Sequence, residues 1–290
     1  MKEKLKIKLT GANGYLGRLI SEELIKKGYE VSGINRSLLY DGTGKLKNEL
    51  KNTDVVINLA GAPILQRWTK KNKTTIYDSR VTTTQNIVKA INELPENNRP
   101  EKFISASAIG IYRAGEKHNE NSKKFEPGFV GEVVRSWEKP LEKLPETVQT
   151  VILRIGLVLG KEAKTIKNLL FPFKLGLGAT IGDGKQPFPF VHEKDVSRAF
   201  LWAVEDFQES AAFNLTAPEN ITNKKFTKAL AKSLHRPALF SIPGFVFKIL
   251  YGKAAVLITG SPAVSSRKIT DAGFRFIYPD IESALLEITK

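Results

Sequence analysis

The chain has 290 residues, 41% of them hydrophobic and 26% charged, with a formal net charge of +15 and no cysteine. Such a length buries a large core and the mix is ordinary for a globular protein, while the missing cysteine excludes a disulfide framework, thiolate catalysis and cysteine-ligated zinc. The charged start runs directly into a strand-like stretch, so no secretory signal is expected and the expected location is cytoplasmic.

Short apolar runs rich in β-branched residues alternate with helical patterns through the first 215 residues. Leu5–Thr10, Glu30–Asn35, Val55–Leu59, Lys102–Ala106 and Thr150–Ile155 read as buried parallel strands. Between them Tyr15–Lys27, Ser79–Glu93 and Phe129–Lys143 have helical period and length. Phe213–Leu215 reads as a last strand, and Thr222–Leu234 as a helix with Thr222 or Asn223 as N-cap. Pro237, Pro243, Pro262 and Pro279 then punctuate short helices. The fold class is therefore α/β: a Rossmann-type doubly wound parallel sheet with a small, mostly helical C-terminal lobe. A nucleotide-binding domain over 1–215, with a substrate-loop insertion at about 161–192, and a C-terminal lobe over 216–290 are expected.

After the first strand comes Thr10-Gly11-Ala12-Asn13-Gly14-Tyr15-Leu16-Gly17, a GxxGxxG loop that opens a helix. Glycine there allows a tight turn, close approach of backbone to a pyrophosphate and close helix–strand packing, and the helix N-terminus offers free N–H groups to phosphate. The specificity position lies at the end of the second strand, where an NAD site places an acid on the ribose 2′-hydroxyl. This chain has Asn35-Arg36-Ser37 instead. No carboxylate repels a 2′-phosphate, and Arg36 can pair with one while Ser37 adds a hydroxyl, so NADP is expected over NAD. The plain alternative for Arg36 is a solvated arginine at a strand end.

These residues, with Asn58-Leu59-Ala60-Gly61-Ala62-Pro63, Arg67-Trp68, Asp78-Ser79-Arg80-Val81, Ser105-Ala106-Ser107-Ala108, Arg154-Ile155-Gly156-Leu157-Val158-Leu159-Gly160, Pro172–Gly178 and Ala272–Phe276, carry a resemblance over nearly the whole chain. The sequence resembles the extended short-chain dehydrogenase/reductase group, in its NAD(P)-dependent epimerase/dehydratase-like branch with a C-terminal domain of its own, here about 240–288. The resemblance implies that Leu59, Ala60 and Gly61 lie under the cofactor. It also implies that Arg80 faces the cofactor, that Ser105 lies near it, and that Ile155, Gly156 and Leu157 border the nicotinamide. A homodimer through sheet-flanking helices is common in that group, and the sequence itself does not fix the oligomeric state.

Members that do redox chemistry use Ser, Tyr and Lys, with Tyr and Lys four apart on one helix. Ser107 matches the serine. The matching helix, Phe129–Glu138, carries Val130 and Val134 at the other two positions, and none of the seven tyrosines has a lysine four residues on. Glu132 on the same helix and Tyr112 after Ser107 are the candidate replacements; their plain alternatives are an exposed helix carboxylate and loop packing. Three functions stay open: an NADP-dependent oxidoreductase or epimerase/dehydratase with another acid/base, a catalytically inactive NADP(H)-binding regulator, and, remotely, a nucleic-acid or anionic-surface binder.

The glycine-rich loop Lys174–Phe190 suits an anionic group of a small-molecule substrate, or is a turn-rich hairpin. His192 and Asp195, three apart, form either an oriented pair or a helix cap. A metal site is not expected. The 18-residue apolar run Ile242–Thr259 contains Lys248, Lys253, Pro243 and two glycines, a poor membrane span. The lysines read as an evenly spread surface, so neither nucleic acid nor membrane is expected as a partner.

Overall fold

A computed structural model describes residues 4–290; residues 1–3, the charged start, lie outside it. Its centre is a six-stranded parallel sheet of β1 (Lys6–Thr10), β2 (Glu30–Gly33), β3 (Val55–Asn58), β4 (Lys102–Ala108), β5 (Gln149–Ile155) and β6 (Ala211–Leu215), in the spatial order β2-β1-β3-β4-β5-β6. All six strands expected from the apolar runs are present. Strand order reverses at β1, since β2 lies on one side of it and β3 on the other, with Leu9 level with both Gly33 and Ile57. A crevice therefore opens beyond the carboxyl ends of β1 and β3.

Alternating side chains of each strand feed two cores. Val55, Ile57, Ile104 and Ala106 join Ile20 and Leu24 of α1 (Tyr15–Lys26). Val56 and Phe103 point the other way, onto Leu46, Ile87 and Ile91. Those residues belong to α2 (Thr43–Leu50) and to a helix that follows α3 (Lys70–Asp78), namely α4 (Val81–Asn92). Burial on both faces is why these strands are continuously apolar rather than alternating. The helix expected over Phe129–Lys143 is α5 (Phe129–Glu138) followed by a 3₁₀ turn, Lys139–Lys143. Pro140, with no N–H to donate, stands where the α pattern stops.

Past β5 the chain departs from a hairpin. Ala179–Ile181, after α6 (Lys164–Lys174), runs parallel to Phe240–Ile242, while Phe190–His192 pairs with Leu157–Leu159. Next come α7 (Glu193–Glu205), α8 (Asn223–Ser233, capped by Thr222) and α9 (Gly244–Tyr251). Residues beyond 216 share cores with those before: Ile269 and Phe274 join the α1 side, and Ile281, Leu285 and Ile288 pack with Phe190, Phe226 and Leu230.

His192 and Asp195 do not pair with each other; both hold the chain's last segment. His192 is wholly buried, its Nδ1 accepts the Lys194 N–H at the start of α7, and its Nε2 lies 3.4 Å from Glu287. Asp195 accepts the backbone N–H groups of Ile277 at 2.7 Å and Tyr278 at 2.9 Å. Burial pushes the His192 imidazole down to about 4, so it folds neutral, whereas the unfolded chain takes up a proton as pH falls below about 6.5. Stability is thus expected to fall by about 2 kcal/mol from this group between pH 7 and pH 5. His192→Asn keeps a capping acceptor and should lose markedly less over that interval; urea unfolding of both proteins at the two pH values measures it, and equal losses would refute the assignment.

Candidate functional site

The crevice at the strand reversal is built around a buried hydroxyl. Thr10, the last residue of β1, accepts the N–H groups of Leu59 at 2.9 Å and Ala60 at 3.0 Å. It donates to Asn58 at 2.8 Å, and Asn58 donates on to Thr84 of α4 at 2.8 Å. All three side chains are fully buried. This chain fixes the turn after β3 against the glycine loop.

Gly11 has φ +68°, and a side chain there would come within 2.9 Å of the Leu59 carbonyl oxygen. Gly17, on the buried side of α1, leaves room for the carbonyl oxygens of Gly11 and Ala12. Asn13 and Gly14 are exposed at the loop tip, and Tyr15, Leu16 and Gly17 begin the helix. Gly14 caps α1 without a side-chain hydrogen bond, and no acidic residue occupies the first turn. The N-terminus of a twelve-residue helix therefore presents unshielded N–H groups to an anion.

At the end of β2, Asn35 accepts from the Ser37 N–H at 3.0 Å and from its hydroxyl at 3.1 Å, capping a short 3₁₀ turn, Arg36–Leu39. The strand ends at Gly33, two residues earlier than the apolar run suggests, because this cap turns the chain. Asn35, Arg36 and Ser37 are all exposed, and Arg36 has no ion-pair partner among the described residues.

Arg80 lies against Gly61, where an added Cβ would stand 3.0 Å from the guanidinium. The guanidinium sits 5.3 Å from the Trp137 ring and donates to the Ile76 carbonyl at 3.3 Å. Burial lowers Arg80 to about 10, so it stays protonated at neutral pH with no carboxylate beside it among the described residues. On the opposite wall, Ile155 ends β5 and Gly156 fits between the Pro189 carbonyl and Thr216, at 2.7 and 2.8 Å from where its Cβ would be. Leu157 donates its N–H to Pro189 and begins the next strand. Ser105 is buried and donates to the Ala106 carbonyl.

The candidate reacting groups are distributed unevenly. Ser107 is buried and donates to Glu138 at 2.5 Å. Arg154 grips Glu138 through two nitrogens, at 2.9 and 2.7 Å, and donates at 2.7 Å to the Tyr112 hydroxyl. Tyr112 in turn donates to Asn214 at 2.8 Å. Ser107 and Tyr112 thus belong to one internal network, and burial pushes the Tyr112 phenol up. Glu132 is not brought to them: it is exposed on α5, away from Val130 and Val134. Those two valines are buried with Ile109, Ile111, Tyr112 and Val264, against Trp68, Ile64 and Leu257. Tyr15 donates to Glu193 of α7, over Gly160.

Thr10, Asn58 and Glu138 stand in the sequence motifs without a role of their own, and Thr84 and Glu193 lie outside them, yet all five carry this geometry. Polar residues ending otherwise apolar strands were the available signal for Thr10 and Asn58. Glu138, one turn beyond Val134 on the same helix face, was the signal for the ion pair.

Residues 7–216 match the NAD dependent epimerase/dehydratase family, and residues 242–288 match a domain of unknown function, DUF1731. The epimerase family protein YfhF of Bacillus subtilis is 31% identical, over 98% of each chain. The mouse epimerase family protein SDR39U1 is 30% identical over 98% of this chain and 99% of its own. A crystal structure of human SDR39U1 with NADPH superposes with a TM-score of 0.90 at 27% identity, covering 98% of this chain and 99% of that one.

Thr10→Val removes the acceptor of two buried N–H groups while keeping side-chain shape. It is expected to lower stability by roughly 3 kcal/mol, read from urea unfolding, and a loss below about 1 kcal/mol would show that the hydroxyl does not hold the turn.

Proposed function

Because the chain belongs to the NAD dependent epimerase/dehydratase family, we propose that it binds NADP(H) in the crevice between β1 and β3. We further propose that it acts there as an oxidoreductase or epimerase/dehydratase on a small, anionic molecule. The observation that carries the cofactor choice is the exposed Asn35-Arg36-Ser37 turn, which sets a free guanidinium and a hydroxyl where an NAD site needs a carboxylate. The NADPH in the human relative's crystal structure supports the same choice.

The residues present fit such a cofactor. The cradle at Gly11, which a side chain would fill, and the uncapped start of α1 suit the pyrophosphate, with Asn13, Gly14, Tyr15 and Leu16 around it. Leu59, Ala60 and Gly61 offer a small-residue floor, and Arg80 brings an uncompensated positive charge. Ile155, Gly156 and Leu157 form the wall at the carboxyl end of β5. The bound cofactor supplies hydride transfer. The chain's own part is to bind, orient and exclude water, and Ser107, held by Glu138, is the hydroxyl we assign to orienting a substrate oxygen.

A second reading, an NADP(H)-binding protein without catalysis, is favoured by Val130 and Val134, which put packed apolar groups where proton transfer is usual. Both readings require the cofactor site, and a cytoplasmic location is part of both. They separate on whether the protein oxidises NADPH in the presence of carbonyl compounds.

Arg36→Ala should lower the preference for NADPH over NADH roughly 10- to 100-fold, the equivalent of one charge-assisted contact, with NADH affinity nearly unchanged. Fluorescence titration with the two nucleotides reads this directly. Wild-type protein that binds neither nucleotide would end the proposal, and an unchanged ratio would end the role of Arg36.

A further inference from the structure

The basic charge is not evenly spread once acids are considered. Residues 220–270 contain nine lysines and arginines and no aspartate or glutamate, and residues 163–182 contain three lysines and no acid. The fold joins these two stretches. Ala179–Ile181 pairs with Phe240–Ile242, Arg236 donates to the Lys174 carbonyl at 3.0 Å, Ser241 donates to the Gly182 carbonyl at 2.6 Å, and α9 follows directly.

The same stretches carry protruding apolar side chains. Leu239 is 85% exposed, Phe171 70%, Ile249 65% and Phe245 61%, with Leu175 and Leu177 also exposed. α9, whose sequence GFVFKILY has one polar side chain apart from its tyrosine hydroxyl, buries no residue. A helix that apolar ordinarily hides a face, and a contiguous exposed patch marks a contact. Lys174, Lys248 and Lys253 are exposed in the same segments, with no ion-pair partner among the described residues.

We propose that this face, formed by α6, the Ala179–Ile181/Phe240–Ile242 pair and α9, docks peripherally on an anionic lipid bilayer. Lipid satisfies both features at once: acyl chains take the aliphatic and phenyl groups, and anionic headgroups take the cations. A second copy would bring the same positive charge face to face. Nucleic acid would meet the charge but leave Leu239 and Ile249 facing phosphate. The face lies on the membrane rather than crossing it, since among the described residues no helix is long and apolar enough to span. The run Ile242–Thr259 is thereby explained as an interfacial element, and this proposal stands apart from the cofactor reading.

The test is sedimentation of the full chain with vesicles of phosphatidylcholine alone and of phosphatidylcholine with about 30% phosphatidylglycerol, at low salt and at about 0.5 M salt. Binding is expected only to the anionic vesicles and weakened by salt. Phe245→Ser/Ile249→Ser and Lys248→Gln/Lys253→Gln should each lower the partition coefficient at least about tenfold. Unchanged thermal unfolding keeps that loss interpretable, and Ile25→Ser, an exposed site on α1, should bind as wild type. Absence of sedimentation, equal binding to both vesicles, or doubly substituted proteins that bind as wild type would overturn it. So would a dimer that Phe245→Ser/Ile249→Ser dissolves, or DNA retention indifferent to that double substitution.

Discussion

The Thr10 hydroxyl is the joint on which the crevice depends. Two parallel strands leave their last backbone donors unpaired where the sheet splits, and a buried unpaired N–H costs about 1–3 kcal/mol. Thr10 meets two such donors after β3 and spends its own proton on Asn58, which reaches Thr84 on α4. One side chain therefore sets β1, β3 and a flanking helix in a single register. Only with Leu59 held there does Gly11 need to be glycine, because the Leu59 carbonyl occupies the space a side chain would take. The open start of α1 and the small floor at Leu59–Gly61 both follow from that joint.

The interior beyond β4 follows a different logic. Val130, Val134 and Glu138 lie one turn apart on α5, and only the third is polar. Two valines bury themselves against Trp68 and the C-terminal segment, while Glu138 is gripped by Arg154. A largely buried ion pair is costly to create, but removing one partner costs about 3–5 kcal/mol, so the network is held as a unit. Ser107 and Tyr112 are tied into it at either end. Burial, the largest influence on Tyr112, pushes its phenol up despite Arg154, and a base working near neutral pH needs the opposite. Ser107, whose hydroxyl gives its proton to Glu138, keeps lone pairs to offer.

Strand positions and the glycine loop were legible because they are local: buried parallel strands must be apolar, and a phosphate turn must be small. The ends of elements were less so. Asn35 reads as strand by β-branched content upstream, yet its own side chain caps the next turn. α2, α3 and α6 escaped a reading that followed strands, and α7 was marked only by the cap at His192, although Glu193 and Asp195 in its first turn are a usable start signal. The pairing of Ala179–Ile181 with Phe240–Ile242 joins residues 61 positions apart, and no local pattern encodes a parallel partner that distant. Charge is likewise not settled by counting lysines along the chain, because residues 220–270 hold nine cations and no acid while acids at 162, 219 and 271 pair with Lys167, Lys225 and Arg267 from just outside the acid-free stretches.

The C-terminal segment is also tied mechanically to the helix that the glycine loop opens. Its last helix reaches α7 through Glu287, which meets Lys194 at 2.7 Å and lies beside His192, and residues 277–278 hang on Asp195. The neighbouring Glu193 receives the Tyr15 hydroxyl from the first turn of α1, in space left open by Gly160. Four consecutive positions on α7 and its cap thus link the domain of unknown function to the start of α1. Every one of these ties ends on a buried or half-buried group, where the cost of an unmatched partner is highest. Displacing the C-terminal segment must therefore strain α7, and α7 in turn is braced against the start of α1, directly after the glycine loop.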